Sequence, residues 1–190
     1  MRRENREIVL EIGHGGLPLA WPRKILSPEK EFYLGIENNP ETAYGTKNFR
    51  TDPLTVHRQV QTRVGLIASG KRLIKALGSD AAQAVTADGR NLPLRNESVD
   101  RVHLHDVLND PLTTRPGKLI HEVHRVLKPG GLLVVRERYG GDRLGNQERL
   151  LNKLFHEEKT AVDKFARLLK QNSREETLGD VIVFRKAPAD

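Results

Sequence analysis

Residues Ile8-Val9-Leu10-Glu11-Ile12 make a short apolar run that stops abruptly at Gly13-His14-Gly15-Gly16. A run this short, bounded by glycine, reads as a buried strand rather than a helix. Glycines at its mouth permit a tight turn and let another group approach the backbone, because no Cβ intervenes. About twenty residues later Phe32-Tyr33-Leu34-Gly35-Ile36 repeats the pattern and ends in Glu37. Continuously apolar strands are buried on both faces. They belong in a parallel sheet covered by helices.

The rest of the chain extends that alternation. Further strands are expected at Ala84 to Thr86, Val99 to Leu104, Leu132 to Glu137 and Val181 to Phe184, beside Glu7 to Ile12 and Glu31 to Ile36. Helices are expected over three stretches. From Pro53 to Leu77, Val56, Val60, Val64, Ile67 and Ile74 recur at helical spacing. From Pro116 to Leu127 a second helix ends at Lys128-Pro129-Gly130-Gly131, a proline-glycine stop. From Gly145 to Lys170 a third buries Leu151, Leu154, Phe155, Val162, Phe165 and Leu169. No repeat or linker divides the 190 residues, so a single domain over 1–190 is expected. Residues 38–53 are long for a connection in this fold and are read as a lid or insertion.

Composition excludes several classes of function. The chain has no cysteine, so disulfides, thiolate metal sites and a cysteine nucleophile are out. No apolar run approaches the ~20 residues that span a bilayer. Met1-Arg2-Arg3 leads straight into the first strand, so a cytoplasmic protein without a membrane partner is expected. The formal charge of +7 suits either a basic surface or an RNA partner.

Two nucleotide motifs nearly match and fail. A dinucleotide fingerprint needs a glycine at the sixth position from Gly13, where Pro18 stands. Gly65 to Arg72 reads G-x-x-x-x-G-K-R, without the Ser/Thr that holds a metal ion and inside a helical pattern. The glycine turn and the carboxylate of Glu37 still describe a pocket for an adenosine-containing cofactor, because a strand-tip acid can take both ribose hydroxyls.

Further motifs continue in order. Leu10-Glu11-Ile12-Gly13-His14-Gly15-Gly16, Gly35-Ile36-Glu37, Thr86-Ala87-Asp88-Gly89 with Leu92-Pro93-Leu94, Asn96 to Val102, and Val126-Leu127-Lys128-Pro129-Gly130-Gly131-Leu132-Leu133 follow one another along the chain. Together they resemble the class I S-adenosylmethionine-dependent methyltransferases. The resemblance implies a doubly wound, mostly parallel α/β sheet with helices on both faces, a Rossmann-like methyltransferase fold. The family's closing antiparallel hairpin is expected to be shortened, since only Val181 to Phe184 is evident. It implies S-adenosyl-L-methionine as cofactor, held by Glu11, Gly13, Gly15, Gly16, Glu37, Asp88 and Gly89. Glu37 would take the ribose, Asp88 the adenine amino group, and Glu11 would order the loop or meet the ammonium.

On the acceptor side, Asp106, Asn109, Asp110 and Pro111 follow the fourth strand and would face the reacting sulfur. The residues leave the acceptor open between a small molecule and RNA. A non-catalytic cofactor- or RNA-binding protein on the same fold is the competing reading. His103 and His105, then His121 and His124, are spaced to aim ring pairs one way on a strand and a helix. Hydrogen-bonded structural histidines, and no metal, are expected there.

Overall fold

The computed structural model describes residues 6–13, 30–38, 82–110, 113–137, 144–172 and 180–189. The expected helix at 53–77 lies outside them, as does the insertion expected at 38–53 except for Asn38. Among the described residues seven strands form one sheet: β1 (Glu7–Ile12), β2 (Glu31–Glu37), β3 (Ala82–Thr86), β4 (Val99–His105), β5 (Leu127–Glu137), β6 (Phe155–Glu157) and β7 (Asp180–Lys186). Their order across the sheet is β3-β2-β1-β4-β5-β7-β6. Strands β1 to β5 pair in parallel, while β7 is antiparallel to both β5 and β6. The fold is therefore a Rossmann-like, mostly parallel sheet, and its closing hairpin is short because β6 has only three residues.

Helices cover both faces. Helix α1 (Pro116–Val126) buries Leu119, Ile120, Val123 and Val126, one stripe at helical spacing. They meet Leu10, Ile12, Leu34, Ile36, Val102, Leu104, Leu133 and Val135, the even-numbered residues of β1, β2 and β4 and the odd ones of β5. Helix α2 (Glu148–Leu154) adds Leu151 to the same core. On the opposite face helix α3 (Lys159–Asn172) sets Phe165 against Val134 and Val183.

Two boundaries differ from the sequence reading. The expected helix from Gly145 to Lys170 is broken: a 3-10 turn (Gly145–Gln147) and α2 lead into β6, and α3 follows. Phe155 takes extended geometry, buries its ring and pairs with Lys186, while the Glu158 N–H donates to the Val183 carbonyl at 2.7 Å. Leu151 and Phe155 serve one core and Phe165 the other, so one apolar period concealed two elements. The second helix does stop before Lys128-Pro129-Gly130-Gly131, but the strand expected from Leu132 already begins at Leu127 and includes that segment. The segment is a bulge within β5, between the pairs Val99–Leu127 and Arg101–Leu132.

Candidate active site

Strand order places a switch point between β1 and β4, because the chain leaves β1 to one side and returns to the other. Ligands of such sheets bind in the crevice at the carboxyl ends of these strands. There the strand tips interlock. The Gly13 N–H donates to the Ile36 carbonyl (2.9 Å), and the Ala87 N–H donates to the Glu37 carbonyl (3.0 Å). These bonds set Gly13, Glu37 and the Ala87-Asp88 turn in a row across three adjacent strands.

Gly13 has φ +72°, and a Cβ there would stand 2.9 Å from Val107 Cγ2. Positive φ and close approach both call for glycine. The contact also joins the turn after β1 to the loop after β4. At Gly89 a Cβ would lie 2.7 Å from Ile12 Cγ2 and 3.0 Å from Leu119 Cδ1, so this glycine lets its loop close over the tip of β1. Gly15, Gly16, His14 and Pro111 lie outside the described residues.

The expected acidic residues have different surroundings. Glu37 is buried, and its Oε1 accepts from the Asn38 N–H at 2.9 Å. Asp88 is exposed and gripped by Arg90: the backbone N–H of Arg90 meets Oδ1 at 2.8 Å and Nη2 meets Oδ2 at 2.8 Å. The guanidinium bonds hold the Asp88 carboxyl below its ordinary range. Glu11 is 1% exposed; Tyr33 Oη donates to its Oε2 at 2.9 Å, and His105 Nδ1 lies 3.3 Å from its Oε1. Burial, then the Glu11 charge, raises the Tyr33 hydroxyl far above the usual phenol range, so it remains a donor.

The loop after β4 is fixed by two consecutive residues of β5 that the sequence reading did not single out. Arg136, 1% exposed, donates from Nη2 to Asp106 Oδ2 at 2.6 Å. Asp106 adopts φ 56°, a left-handed conformation that Asp tolerates better than most residues. Glu137, on the other face, accepts from the backbone N–H groups of Val107 (3.1 Å), Leu108 (2.8 Å) and Asn109 (3.4 Å). Burial raises the Glu137 carboxyl above its ordinary range, although the three N–H groups oppose the rise. Asn109 is half-buried and Asp110 exposed, with the Asp110 carbonyl accepting from the Thr113 N–H (2.9 Å). Arg136-Glu137 at the end of an apolar strand was the sequence signal for this support.

The four histidines do not converge. His103 and His105 sit on the α3 face of the sheet, their rings 5.3 Å apart and that of His103 5.9 Å from Phe165. His121 is exposed on α1, and His124 packs its ring 5.3 Å from Phe155. Among the described residues no group of three potential ligands could hold a metal ion, and no helix is long and apolar enough to cross a membrane.

Comparison with known proteins agrees with the fold. A methyltransferase-domain family model matches residues 57–135. Among curated proteins none matches the sequence. The structure is similar to the cyclase SpnF, with TM-score 0.57, 19% identity, and coverage of 98% of this chain and 77% of the other. It is similar to a chain from the complex between the Haloferax volcanii Trm112 methyltransferase activator and a methyltransferase, with TM-score 0.57, 16% identity, and coverage of 99% and 86%. It also resembles an S-adenosyl-L-methionine-dependent methyltransferase assignment from Methanococcus maripaludis, with TM-score 0.50, 16% identity, and coverage of 98% and 79%. At such identities the likeness speaks for the fold. The domain match and the 3-2-1-4-5-7-6 strand order show a methyltransferase domain of Rossmann-like fold, similar to the class I S-adenosylmethionine-dependent methyltransferases.

Proposed function

We propose that the chain binds S-adenosyl-L-methionine at the carboxyl ends of β1, β2 and β3 and transfers its methyl group, by in-line displacement, to an acceptor held beside the loop after β4. The observation that carries this reading is the row of Gly13, Glu37 and Asp88 across three adjacent strand tips, fixed by the bonds to the Ile36 and Glu37 carbonyls. The donor set fits the cofactor. A glycine turn admits the backbone close to a ligand, and two strand-end carboxylates suit ribose hydroxyls and an adenine amino group.

When bound, the cofactor supplies a methyl group already activated on a sulfonium. What remains for the protein is placement, whose effective molarities reach roughly 7–11 kcal/mol in favourable cases. Glu37 would accept from the ribose, and Asp88 from the adenine amino group after competing with Arg90. Asp106, Asn109 and Asp110 would face the acceptor, on a loop that Arg136 and Glu137 hold in place. No catalytic triad is required for such a transfer. A general base enters only where the acceptor must lose a proton early.

Isothermal titration calorimetry with S-adenosylhomocysteine and with NAD tests the reading. Binding of S-adenosylhomocysteine in preference to NAD is expected, with one site per chain. Tighter binding of NAD would sink it.

A further inference from the structure

Three odd-numbered residues of β4, Arg101, His103 and His105, project from the same face of the sheet. Arg101 is anchored at the amino end of the strands, where Nη1 donates to Glu7 Oε1 (2.8 Å) and Nη2 to Glu31 Oε1 (2.6 Å). Its remaining Nε donates to His103 Nε2 at 3.1 Å. A guanidinium has donors only, so His103 Nε2 must accept. The ring proton of His103 then sits on Nδ1, which faces His105 Nε2 at 3.4 Å. His105 Nε2 accepts in turn, so its own proton is on Nδ1, which lies 3.3 Å from Glu11 Oε1 in an electrostatic contact without hydrogen-bond alignment. The other Glu11 oxygen receives Tyr33 Oη.

We infer that Tyr33 and His105 are positioning residues for Glu11, and that a one-way chain of donors beginning at Arg101 fixes both histidines with the proton on Nδ1. Arg101 and His103 both donate toward the carboxyl end of the sheet, and from His105 the contact turns back to Glu11, which stands in register with His103 on the neighbouring strand. The chain advances four residues along β4, about 13 Å at strand rise, and ends two residues before Gly13.

Burial supports the arrangement. His103 is fully buried, and desolvation, with His105 and Arg101 beside it, pushes its imidazole well below the usual range, so it stays neutral. Phe165 of α3 covers the start of the chain, with the Arg101 guanidinium carbon 5.5 Å from its ring centre. The chain holds Glu11 against the sheet, and so sets the strand end from which the glycine turn departs. The functional part of this inference rests on reading that turn as the cofactor side.

Two measurements test it. Long-range proton–nitrogen correlation spectra of the histidine side chains, assigned through bonds in the wild-type protein at mildly alkaline pH, read the tautomers without any cofactor. Both His103 and His105 are expected as Nδ1–H tautomers. An Nε2–H tautomer at either position overturns the chain. Calorimetry with S-adenosylhomocysteine reads the positioning role in Tyr33→Phe, His105→Leu and His105→Asn. Losing one hydrogen bond to a charged group should weaken binding about tenfold in Tyr33→Phe, and losing the electrostatic contact should weaken it by a smaller factor in His105→Leu. His105→Asn should recover most of that loss, because its amide nitrogen occupies the place of Nδ1. Wild-type affinity in Tyr33→Phe overturns the positioning role even if His105→Leu fails to fold. Wild-type protein that does not bind S-adenosylhomocysteine would overturn the cofactor reading instead, and the tautomers would still decide the chain.

Discussion

The two faces of the sheet are built on opposite plans. Toward α1 and α2, β1, β2 and β4 present Leu10, Ile12, Leu34, Ile36, Val102 and Leu104, an apolar surface that is buried throughout. Toward α3 the same three strands present Glu7, Glu11, Glu31, Tyr33, Arg101, His103 and His105, joined by hydrogen bonds and ion pairs. An apolar face is stabilised by area and tolerates a strand sliding past similar neighbours. A polar face does not, because a shifted register leaves buried charges without partners. The first face supplies most of the stability, and the second fixes which strand atoms reach the site.

The largest effect should come from breaking the polar face at its anchor. The side chains of Arg101 and Glu31 are 6% and 9% exposed. Arg101→Met leaves Glu31 with a buried charge whose main partner is gone, a loss of about 3–5 kcal/mol. The double variant Arg101→Met with Glu31→Met should recover most of it. Urea unfolding of the four proteins checks this, and equal losses in the single and double variants would show that charge pairing is not the cause. On the apolar face Leu104→Ala should cost about 2–5 kcal/mol through cavity formation. No second substitution of a partner should repair that loss, which is the contrast between the faces.

The sequence made the apolar plan legible and hid the polar one. Strands β1, β2, β4 and β7 stand where continuous apolar runs placed them, because burial on both faces leaves an uninterrupted signal. The start of β5 was hidden, since Pro129-Gly130-Gly131 has the same letters whether it ends a helix or bulges a strand. Strand β6 was hidden because three residues inside a helical period carry no signal of their own. At the site, Gly13, Glu37, Asp88 and Gly89 could be proposed from local motifs. Tyr33 and Arg101 could not, and Arg136-Glu137 shows only as a charged end to an apolar strand, because the roles of all four depend on cross-strand register. Glu11 lies opposite His103 on one side and Gly35 on the other, and no local pattern contains that fact.

Glu37 shares the polar face but stands at its open end, so its loss should affect binding rather than folding. Glu37→Ala should weaken S-adenosylhomocysteine binding by about 1.5–3 kcal/mol, roughly ten- to a hundredfold. Glu37→Gln should lose less, since an amide still accepts one bond. A variant with normal affinity and a much lower melting point would make Glu37 a structural cap.

The polar face should also give stability a pH dependence that the apolar face lacks. The fold keeps His103 neutral, while the unfolded chain takes up a proton below its ordinary value of about 6.5. The stability contribution is therefore complete above that value and falls as the pH drops below it. One proton gives a slope of at most about 1.4 kcal/mol per pH unit. Urea midpoints between pH 7 and about 5.5 should show the decline in the wild type and a shallower one in His103→Gln. Equal slopes would mean that His103 is protonated in the folded protein.

The smallest effect is expected where a charge pair lies outside both faces. Arg90 and Asp88 are exposed, and such pairs contribute little to stability. Arg90→Ala should leave the melting temperature unchanged. Its effect on binding follows from which bonds remain. The alanine variant keeps the backbone N–H that meets Asp88 Oδ1, so the carboxylate stays oriented. It loses the guanidinium that covers Oδ2, and with it the competitor for an adenine amino group. Affinity for S-adenosylhomocysteine should therefore rise a few-fold, and the gain should shrink in high salt as the wild-type pair is itself screened. A fall in affinity would instead show that Arg90 holds Asp88 in its binding orientation, extending the positioning role of arginine from the buried face to the exposed loop.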